Sequence, residues 1–273
     1  MIRKLKTPLY HSGAILIALL VAIPFFWMIS TSLKSRGALM VLPIEWIPGE
    51  PTFSSYIELF AKDGFVHSLV NSMIVAVCSV IITLVSSAMA AFVFSKIEFK
   101  GRDIIFLFYL ATMMIPSQVL FIPLFLLMSE FGLTDTLAAL VLPTVFKAFA
   151  IFMLRQQMMA IPKAYMEAPL IDGAGLWKTF IYVICPMCKP TFATLAVISF
   201  MESWNDFLLP LVLLSTKTKY TLPVILNSLN GQYANEYNLL MAGALVSMIP
   251  VLILYAFAQK QFTAGFQIGG IKG

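Results

Sequence analysis

Long stretches without Asp, Glu, Lys or Arg alternate with short polar segments along this chain, and their lengths predict helices that cross a membrane. Four such runs, Thr7 to Leu33, Gly64 to Ser95, Ile104 to Ser129 and Tyr237 to Gln259, reach the roughly 20 residues that a helix needs to bridge hydrocarbon. Two further apolar stretches carry charge, one around Lys147 and Arg155 and the other around Glu202 and Asp206. The pattern predicts an all-α polytopic membrane bundle, a single transmembrane domain over 1–273 with spans near 13–33, 67–94, 104–128, 136–159, 191–214 and 237–260. A long polar-flanked loop, 160–190, separates the fourth span from the fifth.

Composition supports this reading, because 60% hydrophobic and 11% charged residues, at mean hydropathy +0.92, lie far outside the range of ordinary soluble domains. A net charge of +5 does not point to nucleic acid once its distribution is considered. Six spans put both termini on one side. That side collects Arg3, Lys4, Lys6, Lys96, Lys100, Arg102, Arg155, Lys163, Lys178, Lys189, Lys260 and Lys272, against Lys34, Arg36, Lys62, Lys217 and Lys219 on the other. The excess predicts cytoplasmic termini. The first apolar run follows a basic segment but has no A-x-A-like cleavage site, so it reads as a retained helix. Prolines 24, 116, 123, 143, 210 and 250 fall inside spans, where each removes a backbone donor and favours a kink.

Little in the sequence suggests an enzyme. There is no G-x-x-x-x-G-K-[ST] phosphate loop, H-E-x-x-H or G-x-S-x-G; the nearest approach to the first, Gly175 to Thr179, lacks the glycine before Lys178. Cys185 and Cys188 have the spacing of a metal pair, but zinc needs further ligands, and His11 and His67 fall far away on opposite sides of the membrane. No metal and no cofactor is expected.

The loop 160–190 reads as helix, turn, helix. Pro162 suits a first helical position, Lys163 and Glu167 can pair at four-residue spacing, Asp172-Gly173 is a stop with glycine free to take positive φ, and Pro186 closes the following segment. The first helix offers Tyr165, Met166, Leu170 and Ile171, a set suited either to docking in a partner's groove or to lying on the membrane surface.

Glu167-Ala168-x-x-x-Asp172-Gly173-Ala174, followed by Phe180, Pro186 and Pro190, resembles the EAA loop of the permease subunits of bacterial ABC importers, in the form of the maltose-type carbohydrate uptake family. The likeness continues at Asn71-Ser72, Met114-Ile-Pro116-x-Gln118, Phe152-x-Leu154-Arg155, Trp204-Asn205-Asp206-Phe207, Tyr220-Thr-Leu-Pro223, Met241-Ala-Gly243, Ile249-Pro250 and the tail Gly269-Gly-Ile-Lys272-Gly273. One departure is Pro169, where the motif usually has alanine; a kink or restart of the helix is expected there.

The resemblance implies a multi-pass protein of the bacterial plasma (inner) membrane that works with a second permease subunit, a dimer of ATP-binding subunits that hold the ATP, and an extracytoplasmic solute-binding protein delivering a carbohydrate. It assigns ATPase coupling to Lys163, Glu167, Ala168, Leu170, Asp172, Gly173 and Ala174, and extends the tail from Phe262 toward the ATPase. The outer loop 215–236, with Tyr220, Asn227, Asn230, Gln232 and Tyr233, is the implied contact for the binding protein. Asn71, Lys147, Glu202, Trp204, Asn205 and Asp206 are candidates for the substrate path. Glu202 and Asp206, four residues apart, are expected on one helix face, where Lys147 can serve either; the same group suits a sugar site or a contact with the second permease. An ion-coupled carrier is the alternative for a six-span bundle with charges in its spans, and the loop separates the two, because such a carrier has no use for a cytoplasmic docking element.

Overall fold

The computed structural model describes the backbone of residues 2–35, 45–229 and 237–269, and the side chains of 11–35, 45–229 and 237–259. Every regular element among the described residues is helical. Among the described residues, three helices run long and apolar enough to cross a membrane without interruption: α1 (Ile2–Ser32) from His11 onward, α3 (Phe65–Lys96) and α14 (Tyr237–Gly269) as far as Gln259. Pro24 and Pro250 sit inside α1 and α14 without ending them.

Three further pairs of helical segments are long and apolar enough only when taken together, each as one crossing broken by a bend. The first pairs α4 (Arg102–Ala111) and the 3₁₀ turn Thr112–Met114 with Ser117–Leu120 and α5 (Phe121–Glu130), bent by 95°. Ile115 is extended there (φ −83, ψ 119), the conformation that a following proline imposes. The second pairs α6 (Ala138–Val141) and the 3₁₀ turn Leu142–Phe146 with α7 (Ala148–Met159) through a 40° bend at Lys147. Carbonyls near that break find side-chain donors on α3: the Thr83 hydroxyl reaches Thr144 O (3.1 Å) and the Ser86 hydroxyl reaches Val145 O (3.0 Å). Between α7 and the third crossing lies α8 (Ala164–Ile171).

The third break corrects the sequence reading. The expected span over 191–214 is α11 (Lys189–Trp204), which meets the preceding helical segment Leu176–Met187 at 78° and is followed by a separate α12 (Leu208–Leu213). That preceding segment is α9 (Leu176–Thr179), a π turn Phe180–Ile184 and α10 (Cys185–Met187), so Pro186 opens a last helical turn rather than closing the segment. The α11 helix ends because Asn205 sends its side-chain amide back to Met201 O (3.0 Å), while the Asp206 carboxylate takes the Leu209 N–H (3.3 Å) and starts a new turn. The helix α13 (Leu222–Leu229) precedes α14.

The chain divides into two units, one of Met1–Val66 with Ile225–Ile249 and one of His67–Val224 with Pro250–Gly273. In the first, α2 (Ser54–Ala61) is held by Ser55, which takes the Asn238 amide (3.1 Å), and by Tyr56, whose hydroxyl meets that of Ser32 (2.9 Å). In the second, two apolar clusters form the core. One joins Ala91 and Phe92 of α3, Phe106 of α4, Leu154 and Met158 of α7, Met166, Phe180, Ile184, Cys188 and Leu195. The other gathers Val75, Met128, Leu140, Leu213 and Leu214. Small residues on the inward side of α3, among them Ser72, Ser79, Thr83, Ser87 and Ala91, let neighbouring backbones approach it.

Candidate coupling loop and translocation cavity

The loop after α7 begins with α8, whose end is fixed by backbone geometry. The N–H of Ala174 bonds to Pro169 O (2.8 Å), that of Gly173 to Leu170 O (3.2 Å), and Gly173 lies at φ +79. This is a Schellman cap with glycine in the left-handed position. Pro169 neither ends nor restarts the helix: one missing donor interrupts a single bond, and the last turn is closed by the cap. Lys163 and Glu167 are joined through the backbone, Glu167 N–H to Lys163 O at 3.1 Å.

Met166, expected on the docking face, is buried in the core and anchors α8. Tyr165, Leu170 and Ile171 are exposed, Ile171 at 85%, and Leu176, Trp177 and Tyr182 extend the uncovered apolar surface. Glu167, Ala168, Asp172 and Lys163 are exposed beside them, with Ala174 half-buried. Two long cations brace the loop from below. Lys96 donates to Ile161 O (2.7 Å), and buried Arg155 donates to Asp103 Oδ1 (2.7 Å) and to Phe94 O (3.1 Å), its guanidinium 4.1 Å over the Phe106 ring. The sequence reading counted both as loop charges and missed this strut, since their partners lie 52 to 65 residues away in sequence.

A cavity of about 460 Å³ in the second unit is lined by residues from all three broken crossings, including Ser117, Phe121, Lys147, Glu202, Ser203 and Asp206. Lys147 Nζ lies 2.9 Å from Glu202 Oε2, and both side chains are partly open in this chain. The two carboxylates do not share a helix face as expected, because α11 stops between them; Asp206 reaches the cavity from the turn that follows. Trp204 is buried and stacked on Phe200, with ring centroids 5.5 Å apart, so its ring packs in the protein instead of lining the cavity. Asn205 faces back onto its own helix.

Asn71, another path candidate, lies at the far end of α3, where its amide holds Thr218 O (2.8 Å) and Tyr220 O (3.1 Å); beside it Ser72 takes the Leu222 N–H (2.7 Å). At the same end stands a group the sequence reading missed. Asp135, at φ +56, accepts the N–H groups of Ser215 (2.9 Å) and Thr216 (3.0 Å), the Thr216 hydroxyl (2.6 Å) and the Lys219 ammonium (3.0 Å). The Thr216 hydroxyl first, then the Thr216 and Ser215 N–H groups and Lys219, hold its carboxyl well below the usual carboxylate range. Of the binding-protein candidates, Tyr220 is half-buried with its hydroxyl on Ser215 O (3.2 Å) and Asn227 is exposed, while Asn230, Gln232 and Tyr233 lie outside the described residues, as does the end of the tail.

Broken crossings around a cavity that holds an ion pair, with a capped apolar loop at one end, define a membrane transport subunit. Residues 82–267 match the family described as binding-protein-dependent transport system inner membrane component. The chain is 34% identical over 264 residues, 96% of its length and 95% of the relative's, to the arabinooligosaccharides transport system permease protein AraQ of Halalkalibacterium halodurans. It is 31% identical over 270 residues, 99% of its length and 98% of the relative's, to the lactose transport system permease protein LacG of Rhizobium radiobacter. A solved bacterial ABC transporter involved in the import of the acidic polysaccharide alginate contains a chain superposing with TM-score 0.82 at 25% identity, over 94% of this chain and 96% of that one. This chain therefore belongs to the family of inner membrane components of binding-protein-dependent transport systems.

Proposed function

We propose that this chain is one of two permease subunits of an ATP-driven importer whose cargo is a sugar, oligosaccharide or glycoside. Relatives named for arabinooligosaccharides and for lactose support the cargo class. ATP is bound by separate subunits, this chain having no phosphate-loop sequence, and the termini face the cytoplasm with the basic segments. A solute-binding protein delivers the cargo on the opposite side, at the loop that follows α12.

The observation that carries the reading is the α8 cap with its uncovered apolar surface. A helix ended by Gly173 and wedged by Met166 is a rigid lever, and Ile171, Tyr165 and Leu170 are the surface a nucleotide-driven partner would grip. Movement of that lever rocks the bundle between states open to either side. The cavity with Lys147, Glu202 and Asp206 is the segment of the path this subunit supplies, its ion pair and hydroxyls matching the hydrogen-bonding demands of a saccharide.

Ile171→Asp tests the lever, because the residue is exposed and its replacement leaves the core untouched. Loss of a buried apolar anchor weakens association by about 2 kcal/mol, roughly 30-fold. The expected result is normal membrane yield with ATPase subunits lost on purification. Full recovery of the ATPase would reject docking at this loop. For the cargo, ATP hydrolysis by the reconstituted transporter is measured with its binding protein loaded from a panel of oligosaccharides, and the absence of stimulation by any of them counts against a sugar.

A further inference from the structure

The short helix α2 presents three different faces. Ser55 and Leu59 are fully buried, and Ser55 and Tyr56 bolt the helix to Asn238 and Ser32. Glu58 and Lys62 lie on a second, exposed face. On the third, Phe53, Ile57 and Phe60 follow at i, i+4 and i+7 and are 69%, 72% and 47% exposed. That apolar stripe has no cover among the described residues, and Trp46 and Ile47, also exposed, add to the uncovered apolar surface of the same unit.

Three observations fix the depth of this surface. Trp46 packs edge-on against Trp27 with centroids 5.2 Å apart, and Trp27 lies inside the spanning part of α1. Phe60 packs the same way against Phe65 (5.3 Å), the first residue of the spanning helix α3. At 32 residues α3 is about 48 Å long, close to the thickness of a bilayer with its headgroups, so its first turn sits in the headgroup layer. Lys34 then lies 4.6 Å over the Trp27 ring and bonds to Glu45 O, as a cation does at the edge of the hydrocarbon.

We propose that α2 is an interfacial helix, its Phe53, Ile57 and Phe60 stripe seated among the acyl chains of the leaflet on the Lys34 side, with Glu58 and Lys62 in water. The partner is the lipid surface itself. The exposed apolar surface of α1, open from His11 to Phe26, continues into this stripe through the Trp27 and Trp46 contact. Because Asn238 opens α14 and Ser32 closes α1, anchoring α2 sets the depth of both helix ends as well.

The test uses the assembled transporter in vesicles of phosphatidylethanolamine and phosphatidylglycerol, with Cys78, Cys185 and Cys188 replaced by serine or alanine and single cysteines introduced as Ile57→Cys, Phe53→Cys or Glu58→Cys. Each is labelled with bimane and quenched with acyl-brominated lipid or with aqueous iodide. Labels at 57 and 53 are expected to be quenched several-fold more by bromolipid than by iodide, with the reverse at 58 and no change when the solute-binding protein is added. Iodide quenching at 57 and 53 that is relieved by the binding protein would overturn the proposal in favour of a protein-docking surface. Protection from both quenchers in the assembly would overturn it in favour of a contact between subunits. Using two positions on the stripe keeps the outcome readable if one variant does not assemble.

Discussion

The turn that ends α8 and the turn at Asp135 are both short reversals at a helix end, yet they are built from opposite materials. At Gly173 the chain is held by backbone bonds alone, glycine supplies the left-handed φ of +79, and the surrounding apolar side chains are left uncovered. At Asp135 an ordinary residue takes φ +56, and its carboxylate gathers donors from Ser215, Thr216 and Lys219. The first turn is closed locally and leaves an open face for a partner. The second is stapled to a segment eighty residues further along the chain. A lever needs internal rigidity with an open face, whereas a rim needs cross-links.

The sharpest way to break this contrast is Gly173→Val. No atom lies within 4 Å of a Cβ built there, so the effect is purely conformational, about 1–3 kcal/mol of strain at a β-branched residue in that region. Uptake and recovery of the ATPase subunits are expected to fall at least tenfold, with Gly173→Asn retaining a substantial part because Asn tolerates the left-handed conformation. Equal behaviour of the two variants would show that the cap conformation is not what matters.

Next in size is Arg155→Leu, which removes a bond to Phe94 O and the link to Asp103 beneath the loop. Hydrogen bonds to a charged group are worth about 2 kcal/mol, so the thermal midpoint of the purified chain should fall measurably while the far-end turn stays protease-resistant. A smaller coupling is expected between Lys147 and Glu202, about 1 kcal/mol for a partly open pair. In a double-mutant cycle of folded yield, Lys147→Met alone should be worse than Lys147→Met with Glu202→Gln; additivity would remove the pair.

The smallest effect belongs to Asp135. Its carboxyl titrates below the ordinary value in the folded chain, so the staple contributes stability above the ordinary carboxylate pKa and loses it as pH falls through the lowered one. Asp135→Asn should therefore flatten the acid-side decline in stability, measured by thermal melts at descending pH, and leave ATPase recovery unchanged. A wild-type decline in the variant would place the acid sensitivity elsewhere.

What sequence shows and what it conceals follow the same division. Spans are legible because burial in lipid is written residue by residue in hydropathy, and the Gly173 cap is legible because Asp-Gly carries its own backbone preference. Pro116 marked one break in advance, through a restriction on the residue before it. Pro143 marked a kink near the second break, but its place at Lys147 depends on hydroxyls from α3, and the break after Trp204 was not readable, since it depends on how Asn205 and Asp206 divide their side-chain bonds. Trp204 read as a candidate for the substrate path, in a group suited to a sugar site or to a contact with the second permease, but its ring stacks on Phe200; aromatic residues in apolar spans look alike until packing is known. The Asp135 staple and the Arg155 strut join residues far apart in sequence, and charge counting has no access to such pairs.

The hydroxyls of Thr83 and Ser86 carry a consequence for permeability. A helix that bends in a membrane exposes carbonyls, and the ready way to satisfy them is to admit water, which opens a route for protons. Here two of those carbonyls beside Lys147 are capped by a neighbouring helix that is itself unbroken, so neither needs water to satisfy it. Replacing both hydroxyls with alanine would convert a silent crossing into one whose proton conductance is measurable in vesicles that carry no cargo at all.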